Sequence, residues 1–315
     1  MRLAVMERPG RFELREEPVP SIGRDDVLLR VAACGVCTSE LDMWRGLAGH
    51  AAYPWYPGHE VSGTVEAAGE DVTTLVPGEP VAAWVTTRGY ADYVAVPAEY
   101  CFRALDVPLR LALGEPVACA VNVVELAEVG LADDVVVIGA GFMGLLALEL
   151  VQLRGSRNVI VADTRADALE RARKIGATHV VDVSRESLKD AVSGLTDGAG
   201  ADVTFEMTGV QDALTAAGDV TRMSGTVVIG GYHQGDPRTI PLAEWNWMAF
   251  KIANAHFRDV STIIRGMRRG MRLLTSGRIS MEGLVTHPFD LDHIDDAFRT
   301  AVERPDGFVK ATVTP

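Results

Sequence analysis

Two short segments of this 315-residue chain carry residue types that bind metals or react as nucleophiles. They are Cys34-Gly35-Val36-Cys37 and Pro57-Gly58-His59-Glu60. A C-x-x-C motif alone indicates either a zinc knuckle or a redox-active thiol pair. A knuckle needs a second cysteine pair, whereas the other two cysteines, Cys101 and Cys119, are isolated. A redox pair normally opens a helix in a thioredoxin-like unit, and the sequence shows no such unit.

The more informative pairing is therefore Cys37 with His59, because a thiolate and an imidazole are both ligands that zinc prefers. Cys34 ends an apolar run and is interpreted as a core residue.

A glycine-rich loop, Gly139-Ala140-Gly141-Phe142-Met143-Gly144, has the G-x-G-x-x-G spacing. It follows the apolar run 135–138 and opens a segment with helical periodicity, as dinucleotide-binding loops do. In such loops the first glycine permits a tight turn, the second lets the backbone approach a pyrophosphate, and the third allows close helix–strand packing. The pyrophosphate lies at the positive N-terminus of the helix. The loop predicts a dinucleotide-binding site.

Asp163 ends the next predicted strand, about 20 residues after the glycines, where a carboxylate binds the adenosine ribose. Its negative charge disfavours a 2′-phosphate, so NAD is predicted over NADP. Arg165 follows two residues later and offers a competing phosphate contact. The alternative interpretation is a simple glycine turn followed by a helix-capping aspartate.

The pattern of predicted secondary structure changes near residue 120. Short strand-like runs punctuated by Gly and Pro precede this point and predict a β-rich, barrel-like unit. Alternating strands and helices follow it and predict a parallel sheet covered on both faces. A long amphipathic helix over 260–274, a strand-like piece at Val285, a helix near 294–302 and a strand over 309–313 complete the chain.

Length and composition limit the alternatives. A chain of 315 residues predicts two domains. The net charge of −13 argues against a nucleic-acid partner, since phosphate binding needs a basic face. The most apolar stretch, 142–151, is interrupted by Glu149 and is too short to span a membrane. Without a signal-peptide pattern at the N-terminus, a cytoplasmic protein with unpaired cysteines is expected.

Taken together, these segments resemble the zinc-containing medium-chain dehydrogenase/reductase family, which includes alcohol, sorbitol and threonine dehydrogenases. The resemblance covers essentially the whole chain. It implies an α/β fold with a GroES-like β-barrel catalytic domain (1–120 and 258–315) and a Rossmann doubly wound parallel-sheet cofactor domain (121–257). The matching segments are 35–40, 57–63, 76–81, Glu115-Pro116, the glycine loop and Phe205-Glu206-Met207-Thr208-Gly209.

The resemblance also implies roles for individual residues. Cys37 and His59 match two ligands of a catalytic zinc, and Glu60 matches a carboxylate that ligates the metal or exchanges with water. Glu115 matches a position that completes or borders the site, and whether Glu60 or Glu115 ligates is left open. Ser39 matches the hydroxyl that takes the alcohol proton.

Glu40 matches an acidic residue that orients the histidine ligand. The nicotinamide is expected near Thr208-Gly209 and Gly230-Gly231-Tyr232.

The sequence departs from the family pattern at three places. The lobe with four closely spaced cysteines is missing, so one catalytic zinc and no structural zinc are predicted. Asp42 stands where many members have a proton-relay histidine, so the relay uses either Asp42 or water. Thr38 replaces the commoner His, Gly or Arg beside the ligand cysteine.

The expected activity is reversible transfer of a hydride between NAD and a secondary alcohol, such as a polyol, a cyclitol or a sugar-like hydroxyl. Alternatives are a zinc-free quinone or enoyl reductase and a non-catalytic dinucleotide-binding sensor or structural protein. The expected partners are the alcohol or ketone and a second copy of the chain, in a homodimer or homotetramer, with no nucleic acid or membrane. An aromatic loop (Trp44, His50, Tyr53, Trp55) is interpreted either as a pocket wall or as loop packing, and the segment 245–250 as an exposed apolar dimer contact.

Overall fold

The computed structural model describes residues 1–47 and 52–315. Its strands, numbered in chain order, are β1 (Arg2–Arg8), β2 (Arg11–Glu16), β3 (Asp26–Gly35), β4 (Glu60–Ala68), β5 (Pro80–Trp84), β6 (Tyr93–Pro97), β7 (Cys101–Arg103), β8 (Asp134–Ile138), β9 (Asn158–Asp163), β10 (His179–Asp182), β11 (Ala201–Glu206), β12 (Thr221–Ile229), β13 (Lys251–Asn254), β14 (His287–Asp290) and β15 (Ala311–Thr314).

The α-helices are α1 (Thr38–Trp44), α2 (Gly114–Ala127), α3 (Phe142–Gln152), α4 (Ala166–Ile175), α5 (Leu188–Leu195), α6 (Gln211–Val220), α7 (Leu242–Trp247), α8 (Val260–Thr275) and α9 (Ile294–Glu303). Among the described residues, none of the helices is both long and apolar enough to cross a membrane.

The chain divides into two compact units. Unit 1 comprises Met1–Ala118 and Asp259–Pro315, and unit 2 comprises Cys119–Arg258. The boundaries predicted from the sequence were 120/121 and 257/258.

Unit 1 is built on a seven-stranded sheet with a separate β1–β2 hairpin. The strand order is β14-β15-β3-β4-β5-β7, and β6 pairs with β3. Because β15 pairs antiparallel with the end of β3, the last strand lies beside Cys34 and Gly35. Three aromatic side chains pack together within the largely aliphatic core, where the ring of Phe298 on α9 lies 4.8 Å from Phe12 and 5.8 Å from Tyr90, centroid to centroid.

Unit 2 is a six-stranded parallel sheet in the order β10-β9-β8-β11-β12-β13. The chain starts at β8, winds outward to β10, and then returns to wind outward from β11. Strand β8 is buried along its whole length, as its unbroken apolar run predicts. In such doubly wound sheets ligands bind beyond the carboxyl ends of the strands at the point where the winding reverses. Here that point lies between β8 and β11.

Several sequence-based expectations differ from the structure. The strand expected at Val285 forms two residues later, as β14, and the final strand begins at Ala311 rather than Val309. Periodicity did not indicate α1, which spans only seven residues and is too short to show a helical repeat. Helix α2 was also missed, although Pro116 in its first turn is compatible with a helix start.

The segment 245–250 is only partly exposed, so its interpretation as an exposed apolar contact was wrong for Trp245. Trp245 is 2% exposed and packs edge-on against Phe250, whereas Trp247 is 79% exposed. A six-residue helix, α7, causes this difference because it turns one tryptophan inward and the other outward.

Candidate functional site

The two segments with metal-binding residue types meet in unit 1. Cys37 directly precedes α1, and His59 directly precedes β4. Strands β3 and β4 pair antiparallel with Gly35 opposite Glu60, which brings the end of one segment against the start of the other. The thiol sulfur of Cys37, a ring nitrogen of His59 and a carboxylate oxygen of Glu60 lie within 4.8 Å of one another.

The turn before His59 depends on a glycine. Gly58 has a φ of +102°, and a Cβ at this position would lie 2.6 Å from the backbone nitrogens of Gly89 and Tyr90. Any other residue would be strained and would collide with this neighbouring backbone. The glycine therefore allows the Gly-His-Glu turn to pack closely enough to present His59 to Cys37.

Glu40 on α1 is buried and accepts hydrogen bonds on both carboxylate oxygens. Its Oε1 accepts from Gly58 N at 2.7 Å and contacts His59 Nδ1 at 2.9 Å. Its Oε2 accepts from the Tyr90 hydroxyl at 2.6 Å and more weakly from Cys37 N at 3.4 Å. Burial alone would raise the pKa of the Glu40 carboxyl, but His59, Tyr90 and the Gly58 N–H together lower it below its ordinary value. Glu40 is therefore held as an anion.

The contact with Glu40 orients His59. A carboxylate can only accept, so Nδ1 of His59 carries a proton, and in the neutral ring Nε2 would present its lone pair. A carboxylate in this position is the usual partner of a metal-binding histidine. The role predicted for Glu40 agrees with this geometry.

Glu60 is buried beside a lysine that lies 250 residues away in sequence. Nζ of Lys310 is 2.7 Å from both carboxylate oxygens, with an angle that suits a hydrogen bond to Oε1 only. Oε2 is buried and has no hydrogen bond among the described residues. Burial would lower the pKa of Lys310, but Glu60 and, less strongly, Cys37 and Glu115 raise it. Lys310 is therefore a buried cation that partly neutralises the acidic centre.

This donor set fits a zinc ion. A thiolate, an imidazole nitrogen and a carboxylate oxygen form a three-ligand set that leaves a fourth position for substrate. Glu40, Glu60 and a Cys37 thiolate carry three negative charges against the one positive charge of Lys310, an excess that a divalent cation would balance. Oε2 of Glu60, which has no hydrogen bond, is available as a ligand atom.

The two remaining candidates near the centre lie outside this group. Glu115 is half-buried on α2 and acts electrostatically on Lys310, but it is not among the three ligand residues that cluster in the described chain. Cys34 is fully buried, and burial raises the pKa of its thiol well above the ordinary value. Cys34 is thus a core residue, as its apolar neighbours indicated.

Ser39 and Asp42 lie on one face of α1, three residues apart. The Ser39 hydroxyl is 3.4 Å from the sulfur of Cys37, so it lies beside the cluster of Cys37, His59 and Glu60, the candidate metal-binding group. Asp42 is largely buried, and burial raises the pKa of its carboxyl.

Three of the four residues of the aromatic loop pack against the core of unit 1. Trp44, Tyr53 and Trp55 are partly buried against this core, and the Tyr53 hydroxyl donates to Met43 O at 2.6 Å. The structure thus favours loop packing for these three side chains. His50 lies outside the described residues.

The glycine loop of unit 2 connects β8 to α3. Gly139 has a φ of +104°, and a Cβ on Gly144 would lie 1.9 Å from Gly139 O. A Cβ on Gly141, the residue before α3, would meet nothing within 4 Å. The loop thus leaves open space at the helix N-terminus, where a pyrophosphate would bind. Phe142 is buried in the first turn of α3, and Met143 is half-buried.

Asp163 ends β9, and its carboxylate accepts a hydrogen bond from the glycine loop. Its Oδ2 accepts from Ala140 N at 2.7 Å, and its Oδ1 accepts from Arg165 N at 2.9 Å. The Arg165 side chain forms a longer ion pair with the same carboxylate, at 3.7 Å. The carboxylate is therefore fixed beside the loop by two backbone donors.

The residues expected near the nicotinamide lie after two neighbouring strands. Thr208 follows β11, and Gly230 and Gly231 follow β12. A Cβ on Gly139 would lie 2.6 Å from the Thr208 methyl group, so the turn after β11 adjoins the glycine loop. His256, after β13, lies 3.0 Å from Gly231 O through its Nε2, so the ring donates a hydrogen bond to this turn.

Sequence reasoning did not single out Tyr90 or Lys310. Tyr90 lies 50 residues from Glu40, and Lys310 lies 250 residues from Glu60. A tyrosine among apolar residues and a lysine near a strand are too common to indicate such contacts. The signal available in the sequence was a lysine within the otherwise largely apolar run 308–313.

Comparison with known proteins identifies the family of this chain. The family model for the alcohol dehydrogenase GroES-like domain matches residues 23–106, and that for zinc-binding dehydrogenases matches residues 143–272. Sorbitol dehydrogenase of Gallus gallus is 30% identical over 338 residues, covering 94% of this chain and 92% of the relative. L-threonine 3-dehydrogenase of Paraburkholderia phytofirmans is 27% identical, covering 98% and 97%.

The fold agrees as well. A protein of Sinorhizobium meliloti 1021, solved with NADP bound, superposes with a TM-score of 0.89 at 26% identity, over 100% of this chain and 99% of that one. The extent of these matches, together with the GroES-like and Rossmann units, shows that the chain belongs to the zinc-containing medium-chain dehydrogenase family of oxidoreductases.

Proposed function

We propose that this protein is an NAD-dependent dehydrogenase that oxidises a secondary alcohol of the polyol, cyclitol or sugar type at one zinc ion. The convergence of Cys37, His59 and Glu60 within 4.8 Å carries the proposal. The relatives named sorbitol and L-threonine 3-dehydrogenase support a substrate with several polar groups.

In this proposal Cys37, His59 and Glu60 hold the zinc, and Glu115 borders the site. Zinc, when bound, supplies the Lewis acidity that lowers the pKa of a substrate hydroxyl. Glu40 keeps His59 in the tautomer that can ligate, and Lys310 limits the negative charge that the buried group must carry.

Ser39 accepts the proton of the substrate hydroxyl. The proton then passes either to Asp42, one turn further along α1, or to water.

Asp42→Asn separates the two routes, since the substitution lowers kcat if Asp42 receives the proton and leaves kcat unchanged if water does. The buried position of Asp42 favours a carboxyl that can hold a proton.

The cofactor lies on unit 2 in this proposal. Gly141, Phe142 and Met143 at the start of α3 would hold its pyrophosphate, and Thr208, Gly230 and Gly231 would lie beside its nicotinamide. The adenosine ribose contacts Asp163, with Arg165 nearby. The protein acts as a cytoplasmic homodimer or homotetramer, without a structural zinc.

The proposed metal site predicts one zinc per chain, lost in Cys37→Ser because the thiolate ligand is removed. Cys34→Ala is the matched control, since this buried thiol lies outside the group and its loss should leave the zinc in place. Elemental analysis of the purified proteins measures both. Two zinc ions per chain would contradict the single-site proposal, and none would favour a zinc-free reductase or a non-catalytic dinucleotide-binding protein.

The proposed substrate class predicts that polyols, cyclitols or amino alcohols reduce NAD in the presence of the zinc-loaded protein. The rise in absorbance of NADH, screened across these alcohols with simple primary alcohols as controls, measures the activity. Absence of turnover with every secondary alcohol, despite bound zinc, would contradict the proposal.

We expect the Asp163 carboxylate to determine the preference for NAD over NADP. Asp163→Asn retains an acceptor for Ala140 N but removes the charge that repels a 2′-phosphate, so the affinity for NADPH relative to NADH should rise about tenfold, or about 1.4 kcal/mol. Fluorescence titration with each cofactor measures the ratio. Asp182→Asn, on the adjacent strand, is the control, and an unchanged ratio in Asp163→Asn would show that the carboxylate does not select NAD.

We expect the hydrogen bond from Tyr90 to Glu40 to support metal binding indirectly. Tyr90→Phe removes the 2.6 Å hydrogen bond to Glu40 while keeping the ring in the core. Glu40 then holds His59 less firmly, and the zinc affinity should fall about tenfold, as for other residues that support metal ligands. Competition with a chelator measures the affinity, and Tyr100→Phe is the control. Equal zinc affinities in the two variants would show that Tyr90 does not support the metal site.

A further inference from the structure

Glu206 ends β11 as a fully buried carboxylate in unit 2. Its Oε1 accepts from Thr208 N at 2.7 Å, Thr208 Oγ1 at 2.5 Å and Gly209 N at 2.9 Å. Its Oε2 lies 2.8 Å from Nε2 of His233. One carboxylate oxygen therefore binds the turn after β11, while the other binds the loop after β12.

His233 stands between Glu206 and an arginine. Nε of Arg238 lies 3.2 Å from Nδ1 of His233. A guanidinium can only donate, so Nδ1 must accept, and the proton of the neutral ring lies on Nε2, from which it is donated to Glu206. The partners on both sides thus select one tautomer of His233.

Arg238 ties the same two loops together through its other donors. Its Nη2 lies 3.1 Å from both Gly209 O and Gln234 O, and its Nη1 donates to Asp236 O at 2.6 Å. The positive charge of Arg238 thereby offsets the buried charge of Glu206 without contacting it directly.

These loops contain the residues assigned above to the nicotinamide. Gly231 N donates to the backbone oxygen of Glu206, and a Cβ on Gly231 would lie 2.5 Å from Glu206 Oε2. The Gly230–Gly231 turn is therefore hydrogen-bonded to the Glu206 backbone and lies directly against the Glu206 side chain, so a change in the position of that side chain would disturb the turn.

We propose that His233 and Arg238 are positioning residues that act through Glu206 to hold the two nicotinamide-binding loops in their binding conformation before the cofactor arrives. The inference rests on the proposed function, because it assigns these loops to a nicotinamide dinucleotide. A preorganised loop does not have to be ordered at the cost of binding energy. The network therefore contributes to the affinity for the nicotinamide end of the cofactor and not for its adenosine end, which binds at the glycine loop and Asp163.

The test compares two ligands of the zinc-loaded full chain, NADH and ADP-ribose, which lacks the nicotinamide. His233→Leu and Arg238→Met should each weaken NADH binding about tenfold and leave ADP-ribose binding within about twofold of wild type. His233→Gln, whose amide can donate to Glu206 and accept from Arg238, should restore most of the NADH affinity. His179→Leu, an exposed histidine of the same unit, is the matched control. Calorimetry measures both ligands.

ADP-ribose binding reports whether unit 2 is folded in each variant. Equal losses of affinity for NADH and ADP-ribose would show that the network has only a general structural role, and would overturn the inference. Unchanged NADH affinity in the variants would overturn it as well. A wild-type chain that binds ADP-ribose but gains no affinity from the nicotinamide would also overturn it. Failure of the wild type to bind either ligand would contradict the proposed function itself, and the inference would fall with it.

Discussion

The hydrogen bonds of the buried Glu40 carboxylate connect the three parts of unit 1 that build the metal-binding group. Glu40 lies on α1, and its partners come from the Gly58-His59 turn and from Tyr90. A buried carboxylate without donors is strongly destabilising, so these segments are constrained to converge on it. The same contacts that satisfy the charge also fix the ring of His59. Stability of the barrel and orientation of the proposed metal ligand His59 therefore have a common physical origin.

Unit 2 also contains a buried carboxylate that needs hydrogen-bond donors, that of Glu206. There the buried carboxylate binds the turn after its own strand and, through His233, the loop after the next strand. The two units differ in how the charge is compensated. Lys310 lies directly against Glu60 in the metal-binding group, whereas Arg238 is separated from Glu206 by a neutral imidazole. In the direct pair only one carboxylate oxygen of Glu60 accepts a hydrogen bond from Lys310. The imidazole between Glu206 and Arg238 lets Arg238 reach backbone carbonyls of both loops.

Much of this architecture could be predicted from the sequence. Local patterns indicated the glycine loop, Asp163 and the alternating strands and helices of unit 2, because each depends on residues close in the chain. The grouping of Cys37 with His59 came from residue chemistry, and the roles of Glu40 and Glu60 came from the family resemblance. Tyr90, Lys310 and His233 could not be found in this way, since their functions arise from contacts between distant segments. Short elements such as α1 and α7 were missed because they are too brief to show periodicity.

The pairing of Lys310 with Glu60 has a consequence for the order in which the protein is assembled. In a small zinc finger the ligands are near one another in sequence, and the metal itself drives folding. Here the carboxylate beside Cys37 and His59 obtains its counter-charge only when a segment 250 residues away has paired β15 with β3. Contacts of such long sequence separation form late, because the closure of a long loop must be achieved first. We therefore expect the proposed metal site to form with the completed fold of unit 1 rather than to nucleate it.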